Sequence, residues 1–344
     1  MVWLMAHLAA SVIVPTYGGL RRLPALLDAL TEQDMSEPWE VVISIDGIVD
    51  ETKALVEQYR SRLHLIVVES ASSTGVSAAL NRGFAAASGE VLIRCDDDLT
   101  PRPFMVRRHV ELHRQRPRTI VNAAYRDIAV PTPFGRVYGS RAAAARRQQW
   151  YGRPAPERWI DCAGHISVDR ATWELAAPGF DESIPYGEDS EMAYRLVKRG
   201  IAVHLAPELE IEHRGAPRLA ANRVPRAFNA GAGSRVFALR HPEAVPPELP
   251  LRPSSFRAAV WSWSIRVVSR ALRTPRPFAL IGRAFDVCVP VLPAAVGYRL
   301  VAWAVECAGA SGRQHGPDDL FSLTGQKSRE LEAETADGRF APPR

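Results

Sequence analysis

The sequence lacks the cysteine patterns of disulfide-rich and zinc-binding proteins. Its four cysteines (Cys95, Cys162, Cys288 and Cys307) lie far apart and form no C-x-x-C pair. Neither a disulfide framework nor a zinc knuckle is therefore expected, and a reducing cytoplasm is the default compartment for such a chain. Lysine is also scarce, because only three of the 43 basic residues are lysine and the others are arginine.

The chain has little net charge and no basic cluster in its first 250 residues. The formal net charge is +5, and the arginines are interspersed with acidic residues up to about position 250. Because nucleic-acid-binding proteins usually carry clustered basic stripes, no nucleic-acid partner is predicted. The 344 residues are 47% hydrophobic and 24% charged, which is typical of globular proteins and excludes fibrous and wholly disordered classes. This length predicts roughly two domains, or one large α/β domain with an extension.

Apolar residues dominate the first 15 positions, but a signal peptide is not predicted. The segment has no basic residue ahead of its apolar part, and residues 11–15 have the continuous apolar character of a buried strand. We therefore expect residues 11–15 to belong to the fold rather than to a cleaved leader.

Short apolar runs alternate with helical patterns over the first 215 residues. The predicted strands cover residues 11–15, 40–46, 64–69, 90–95, 201–205 and 209–212. The predicted helices cover residues 20–33, 50–62, 77–87, 102–115 and 189–199. Three of the first four strands are continuously apolar, as strands covered on both faces must be. Such alternation indicates an α/β domain with a mostly parallel central sheet flanked by helices, whereas residues 116–160 have an irregular or antiparallel character.

The composition changes after residue 240 and suggests four segments. Residues 1–240 form the main domain, residues 241–255 are a proline-rich linker, residues 256–310 are a helical extension, and residues 311–344 are polar and predicted to be disordered. Within the extension, Arg266, Arg270 and Arg273 form one helical stripe beside tryptophans and aliphatic residues. Three alternatives remain open for this extension: packing on the main domain, peripheral attachment to a membrane, or a membrane span.

Carboxylates follow the predicted strands at the points where ligands bind open parallel sheets. Asp46 ends the second strand, and Asp96, Asp97 and Asp98 follow the fourth. On an extended chain Asp96 and Asp98 point the same way, and two such charges are costly unless a cation or hydrogen-bond donors neutralise them. Mg²⁺ or Mn²⁺, completed by substrate phosphates, would do so. An acidic surface turn is the alternative.

A second group of candidate residues opens the helix at residues 189–199. Glu188 and Asp189 are either ordinary partners of the helix N-terminus or include a general base, which that N-terminus would keep ionised. The two are not expected to face the same point, so that one would be the base and the other structural. His213, at the end of a strand-like run, is either structural or a metal ligand beside Asp98.

The order of these motifs resembles that of the family 2 glycosyltransferases, which have the GT-A fold. The similar segments are S-V-I-V-P-T-Y at residues 11–17, V-I-S-I-D-G at 42–47, G-V-S-A-A-L-N-R-G at 75–83, D-D-D at 96–98, G-F-D-E at 179–182 and G-E-D at 187–189, followed by His213. The resemblance covers about residues 10–215.

The resemblance implies a role for each matching residue. Asp46 would bind the nucleotide base, Pro15, Thr16 and Tyr17 would line the nucleotide pocket, and Asp96 would approach the ribose. Asp98, with His213, would hold Mn²⁺ or Mg²⁺ on the donor diphosphate. Asp189 would deprotonate the acceptor hydroxyl in a single displacement that inverts the anomeric carbon, while the metal stabilises the departing diphosphate.

The expected partners are a nucleotide-diphosphate sugar and a glycan, lipid-linked or small-molecule acceptor. Ile45 and Leu80 replace an aspartate and a basic residue that are common in the family, which leaves the identity of the nucleotide open. The sequence has no Q-x-x-R-W segment and no pair of clean membrane spans, so one sugar per encounter is expected rather than processive synthesis. The expected location is the cytoplasm or the inner face of the cell membrane. The alternatives are a nucleotidyltransferase of similar fold, which would need a glycine-rich basic loop after the first strand, and a noncatalytic sugar-nucleotide-binding protein.

Overall fold

The computed structural model describes residues 8–128, 131–184, 186–244 and 255–317. Their strands are β1 (Ala10–Thr16), β2 (Trp39–Asp46), β3 (Leu65–Ser70), β4 (Val91–Cys95), β5 (Leu99–Thr100), β6 (Thr119–Asn122), β7 (Tyr125–Asp127), β8 (His165–Asp169), β9 (Ala202–Leu205) and β10 (Ile211–His213). Their α-helices are α1 (Leu23–Thr31), α2 (Thr52–Glu57), α3 (Val76–Ala86), α4 (Met105–Gln115), α5 (Ser140–Tyr151), α6 (Arg170–Leu175), α7 (Glu188–Lys198), α8 (Ala220–Arg240), α9 (Phe256–Ala271), α10 (Pro275–Cys288) and α11 (Ala294–His315).

A seven-stranded mixed sheet forms the centre of the molecule. Its strand order is β3-β2-β1-β4-β8-β6-β9, and β8 runs antiparallel to both of its neighbours. The other pairings are parallel, so β1 to β4 end at one edge of the sheet. A small sheet of order β5-β10-β7 lies beside that edge and brings the segment after β4 next to His213. The prediction of a mostly parallel sheet flanked by helices is confirmed.

Burial explains why the first strands were recognisable. Every residue of β1 is buried, as are all but one of β2 and all of β4, because helices cover both faces of the sheet. Two apolar clusters fill these layers, one containing Leu27 and Ile43 and the other containing Phe84 and Phe180. This rigid sheet positions the loops that carry the candidate site.

The structure corrects the prediction for residues 116–160. This part contains the twelve-residue helix α5 as well as the short strands β6 and β7. Helix α5 is amphipathic only weakly, with Trp150 as its one buried residue, so its sequence lacks the apolar period that identifies helices. No helix was predicted between residues 200 and 255, but α8 occupies 21 of these residues.

The C-terminal helices form one packed layer with α8. Phe228, Phe278, Val301 and Cys307 belong to a single buried cluster shared by α8, α10 and α11. The apolar stretch at residues 284–310 is therefore divided between two helices, with a turn at Val289–Val291. Helix α11 continues to His315, so the predicted disorder does not begin at residue 311. Residues 318–344 and most of the predicted linker lie outside the described residues.

A membrane-spanning helix needs about 20 predominantly apolar residues. Among the helices of the described residues, none combines the length and apolar character needed to cross a bilayer.

Candidate active site

A cavity of about 310 Å³ lies where β1, β2 and β4 end. It brings together most of the residues that the sequence singled out. These are Pro15, Thr16, Tyr17, Asp46, Asp96, Asp98 and Asp189. His213 lies in a neighbouring cavity that shares Asp96 and Asp98 with the first. The predicted site residues therefore converge on one region of the molecule, although they span about 200 positions of the sequence.

Asp97 connects the segment that follows β4 to the end of β1 and the segment after it. Its carboxylate accepts hydrogen bonds from Thr16 Oγ1 at 2.6 Å and from Arg22 Nε and Nη2 at 2.9 and 2.8 Å. Arg22 Nη2 also donates to the Tyr17 carbonyl oxygen at 2.6 Å. This bidentate pair is buried and geometrically specific. It fixes the wall formed by residues 15–17 against the aspartate segment.

The carboxylate of Asp46 is occupied by the chain itself. It accepts hydrogen bonds from the Thr74 and Gly75 backbone N–H groups at 2.9 and 2.8 Å and from Ser73 Oγ at 2.8 Å. Arg82 Nη2 lies 3.0 Å from its Oδ1. Burial raises the pKa of Asp46, but the bonds from residues 73–75 outweigh it and leave the pKa below its usual value. Asp46 thus organises the loop that follows β3, and a nucleotide base would meet a carboxylate with few free acceptor positions.

Arg94 is the positive centre of the cavity. Its buried guanidinium pairs with Asp96 Oδ1 at 3.0 Å, with Glu188 Oε1 at 3.2 Å and with Asp189 Oδ1 in a short contact. The expectation that Glu188 and Asp189 do not face the same point was wrong, because the planar fork of one arginine reaches both carboxylates. Burial raises the pKa of Asp96, opposed by Arg94.

Asp189 is buried, and the pKa of its carboxyl group is raised. Burial raises its pKa to about 7, against the opposing charge of Arg94 and with the support of Glu188 and Asp96. The helix N-terminus was expected to keep this carboxylate ionised, whereas burial brings its pKa close to neutral pH. A base with a pKa close to the working pH combines ionisation with basicity.

Asp98 and His213 meet at the edge of the small sheet. His213 Nε2 lies 3.2 Å from Asp98 Oδ2, and His213 Nδ1 lies 2.6 Å from Asp127 Oδ1. Burial lowers the pKa of His213, but the two carboxylates raise it to about 10. The pKa of Asp98 falls to about 2 because His213 more than offsets the effect of burial. Without a metal, the histidine is thus a cation between two carboxylates.

The donor atoms at Asp98 and His213 fit a divalent metal that substrate oxygens complete. Within the described ranges, no three or more His, Cys, Asp or Glu side chains surround a common metal position. One carboxylate and one imidazole suffice where substrate phosphates supply further oxygens. The hydrogen bond that His213 Nδ1 donates to Asp127 Oδ1 is the arrangement that orients a metal-binding histidine.

The sequence of the sheet and its loops matches a known family model. Residues 11–169 match the model described as Glycosyl transferase family 2. We call the part of the chain that matches this model the family 2 domain. The matched region runs from β1 to the end of β8, and it contains the cavity wall, Asp46 and the three aspartates.

Two curated relatives of the family 2 domain are glycosyltransferases by name. Uncharacterized glycosyltransferase YfnE of Bacillus subtilis is 29% identical over 112 residues, covering 33% of this chain and 29% of its own length. Poly(ribitol-phosphate) beta-N-acetylglucosaminyltransferase TarS of Staphylococcus aureus is 37% identical over 90 residues, covering 26% of this chain and 16% of its own length. The chain thus matches less than a third of the length of either relative.

A solved structure shows the same fold. Mannosyltransferase PcManGT from Pyrobaculum calidifontis, in complex with GDP-Man and Mn²⁺, superposes with a TM-score of 0.56 at 20% identity. The superposition covers 89% of this chain and 88% of that chain. The GT-A fold predicted from the motif order is therefore confirmed for the family 2 domain.

The structure adds four arginines that the sequence analysis did not single out. Arg146 and Arg147 of α5 and Arg223 and Arg226 of α8 line the cavity of about 280 Å³ that contains Asp98 and His213. Burial, with help from Arg146 and Arg226, lowers the pKa of Arg223 to about 10. In the described part of the chain, no carboxylate lies within 4 Å of the Arg223 guanidinium.

These arginines were missed because neither α5 nor α8 was predicted as a helix. The spacing of Arg223 and Arg226, three residues apart, places them on one face of a helix, but this signal has meaning only once α8 is known. No role was predicted for Arg94 either. Its partners Glu188 and Asp189 are more than 90 positions away, so no local pattern connects them.

Proposed function

We propose that the chain is a metal-dependent, inverting glycosyltransferase. It transfers one sugar from a nucleotide-diphosphate sugar to an acceptor hydroxyl, with Asp189 as the general base. The transferase domain comprises residues 1–240, the linker residues 241–255, and the helical extension residues 256–310. The observation that carries the proposal is that Asp189, Asp98 and the wall formed by Pro15, Thr16 and Tyr17 line one cavity.

The size of the cavity and the residues that line it support this cavity as the donor site. Its volume of about 310 Å³ is in the range of sites that enclose small molecules. Residues 15–17 and the loop held by Asp46 provide the nucleotide side, with Asp96 toward the ribose. The GDP-Man complex of the structurally similar PcManGT supports a nucleotide sugar as the class of donor.

Asp98 and His213 are the residues that would hold the metal, and Mn²⁺ or Mg²⁺ suits their oxygen and nitrogen atoms. When bound, the ion would neutralise negative charge on the departing nucleoside diphosphate. Asp127 would keep His213 oriented through Nδ1. Arg223 and Arg226 add positive charge on the same side, as a phosphate-bearing substrate requires.

Asp189 performs the proton transfer in this proposal. The acceptor hydroxyl loses its proton to a carboxylate oxygen of Asp189 as its own oxygen attacks the anomeric carbon, and the bond from that carbon to the diphosphate breaks. One displacement at the anomeric carbon inverts its configuration. Arg94 holds the base in place through the ion pair at its carboxylate, and Glu188 pairs with the same guanidinium.

The acceptor is a glycan, a lipid-linked molecule or a small molecule. TarS carries the name of a poly(ribitol-phosphate) transferase, which makes a phosphate-bearing acceptor a reasonable class to test. A nucleotidyltransferase is disfavoured because Arg22, one of two arginines shortly after β1, pairs with the Asp97 carboxylate and donates to the Tyr17 carbonyl oxygen. A noncatalytic sugar-nucleotide-binding protein would not require Asp189.

The proposal is tested by thermal unfolding with Mn²⁺ and a panel of nucleoside diphosphates. A ligand at about 100 times its Kd adds about 2.7 kcal/mol to stability, which is several degrees for a protein of this size. We expect a metal-dependent shift with one diphosphate in the unaltered chain and its loss in Asp98→Ala. Asp34→Ala is the control, because Asp34 pairs with Arg107 on the surface.

Product analysis completes the test. Incubation with the donor that carries the selected diphosphate and with a panel of acceptors should give a glycoside of inverted anomeric configuration by NMR. Binding without transfer to any acceptor would support the noncatalytic alternative, and release of inorganic pyrophosphate from a nucleoside triphosphate would support a nucleotidyltransferase. Absence of any shift in a folded protein would contradict the donor site.

A further inference from the structure

Helix α9 carries a stripe of apolar side chains that faces away from the protein. Phe256, Val260, Trp263 and Val267 recur at spacings of four, three and four residues, which places them on one face of the helix. Phe256 is 84% exposed and Trp263 is 60% exposed. Large apolar side chains aligned in this way on a surface indicate an interaction site rather than scattered exposure. We call these four residues the α9 stripe.

Residues of α9 outside the α9 stripe make the contacts that hold this helix on the protein. The opposite face of α9 contacts α11, where Trp261 Nε1 donates to Glu306 Oε2 at 2.8 Å and Trp303 Nε1 donates to Ser264 Oγ at 3.0 Å. Ile265, Val268 and Leu272 pack on the buried cluster of α8, α10 and α11. The helix is therefore held by one face while it presents a second apolar face outward.

Arginines border the α9 stripe on the same helix. Arg266 and Arg270 are exposed and lie to one side of it, and Arg257 is exposed on the other. An open groove of about 640 Å³ between α9 and α11 continues the surface and is lined by Phe256, Val260 and Arg299, among others. Apolar residues bordered by basic ones are the pattern of helices that lie in a membrane interface.

The charge of the C-terminal helices is strongly one-sided. Residues 256–317 contain eight arginines and two carboxylates, Asp286 and Glu306. Both carboxylates are engaged inside the layer: Asp286 accepts from the Ala220 and Ala221 backbone N–H groups, and Glu306 accepts from Trp261. This segment alone exceeds the net charge of +5 of the whole chain, so the basic surplus of the protein lies here.

We propose that α9 docks on the surface of an anionic phospholipid bilayer. The α9 stripe enters the boundary between headgroups and acyl chains, and the arginines beside it bind lipid phosphates. A second copy of this chain fits the surface less well, because pairing the same faces would bring arginines against arginines. The surface shares no lining residue with the cavity of Asp98 and Asp189, so the proposal stands independently of the transferase reaction.

Vesicle flotation with the full chain tests this docking. We expect the protein to float with phosphatidylglycerol-containing vesicles at low salt, to stay in solution with pure phosphatidylcholine, and to be released by high salt as screening lengths shorten. On binding, tryptophan fluorescence should shift to the blue. The shift should be smaller in Trp263→Phe, since the exposed Trp263 ring is the one that enters the lipid.

Two variant pairs assign the binding to the α9 stripe and its arginines. Trp263→Glu should abolish flotation, whereas Leu239→Glu, at an equally exposed residue of α8, should leave it unchanged. Arg266→Gln with Arg270→Gln should weaken binding about 25-fold, which is about fivefold for each charge near the membrane. Arg102→Gln, an exposed arginine of the main domain, is the matched control.

Three results would overturn the proposal. Equal flotation with neutral and anionic vesicles would remove the role of the arginines. Concentration-dependent dimerisation that Trp263→Glu abolishes would identify a second copy as the occupant. Binding only by a chain that ends at Pro317 would identify the acidic residues 318–344 as a cover of the surface. Circular dichroism on each variant confirms that the compared proteins are folded.

Discussion

Arg94 determines the charge balance of the candidate active site. Its guanidinium is buried between Asp96, Glu188 and Asp189, so without it three carboxylates would face one another in a poorly hydrated place. Breaking such a buried pair on one side is costly because the remaining charges lose their compensation. In the proposed reaction Arg94 would therefore act through Asp189, as a positioning residue.

The first prediction concerns the pH dependence of transfer. Asp189 must be ionised to accept a proton, and its pKa is about 7, so kcat/KM should fall as the pH drops below about 7. In Arg94→Gln the opposing charge is lost, and the acid limb should move to higher pH by about 1 pH unit or more. Arg94→Lys should restore part of the change. An unmoved acid limb in folded Arg94→Gln would contradict the role of Arg94.

The second prediction concerns Asp189 itself. Asp189→Asn keeps the shape of the side chain but cannot accept the proton, so kcat should fall about 10²- to 10⁴-fold. The affinity for the nucleoside diphosphate should stay nearly the same, because the nucleotide wall is elsewhere in the cavity. Steady-state kinetics and calorimetry measure the two effects. Asp34→Asn, at a carboxylate paired with surface Arg107, is the control.

At the scale of elements, helix α4 and strand β8 meet through a buried polar cluster. His109 Nε2 lies 3.0 Å from His165 Nε2, and Ser167 Oγ lies 2.8 Å from His109 Nδ1 and 2.7 Å from His113 Nε2. Burial lowers the pKa of His165 to about 3 and that of His113 to about 4, and it lowers the pKa of His109 well below its usual value. The three imidazoles are therefore neutral in the folded protein at neutral pH.

The third prediction follows from these lowered pKa values. In the unfolded chain each histidine titrates near pH 6.5, so acid protonates the unfolded state first, and the stability contributed by these histidines falls as the pH drops from about 6.5 toward 4. The raised pKa of Asp189 acts in the opposite direction, so the prediction concerns the difference between variants. Linkage gives a loss on the order of 2 kcal/mol for each histidine between pH 7.5 and 5. Urea unfolding across this range measures it. The loss should be smaller in His113→Gln and unaltered in His64→Gln, since His64 is exposed.

Two glycines on α11 offer the fourth prediction, because they differ in the space around them. A Cβ atom at Gly312 would lie 2.0 Å from the Phe228 carbonyl oxygen of α8, whereas at Gly309 its closest neighbours would be 3.7 Å away. Gly312→Ala should thus force the helices apart and lower stability by about 1 to 3 kcal/mol. Gly309→Ala should be neutral or stabilising by up to about 1 kcal/mol. Thermal unfolding of both variants measures the two changes in stability. Equal effects of the two substitutions would contradict the close approach of α11 to α8 at Gly312.

At the scale of the whole molecule, the C-terminal helices and the family 2 domain share one core. Helix α8 presents Arg226 to the candidate active site and Phe228 to the cluster formed with α10 and α11. The fifth prediction is that a chain ending at residue 255 exposes this cluster and aggregates or loses its cooperative transition. Size-exclusion chromatography and calorimetry test it. A monomer with unchanged Tm would show that the extension is an independent unit.

The sequence by itself determined the parallel half of the sheet and most of the candidate site. Strands buried on both faces are continuously apolar, so β1, β2 and β4 were located to within a residue or two. The carboxylates after these strands were recognisable because strand ends of a parallel sheet meet at one edge. The order of short motifs then indicated family 2, whose model matches residues 11–169.

Only the tertiary structure decided what lies opposite those carboxylates. Strand β8 enters the sheet antiparallel between β4 and β6, and α5 and α8 bring arginines to Asp98, although neither helix has a clear apolar period. Pro225 lies inside α8, a position where proline is normally unfavourable. The packing of α8 against α10 and α11 overrides that local preference. The pairing of Arg94 with Asp189 spans 95 positions. Contacts between such distant residues leave no trace in local periodicity, because burial and ion pairing depend on which elements fold against each other.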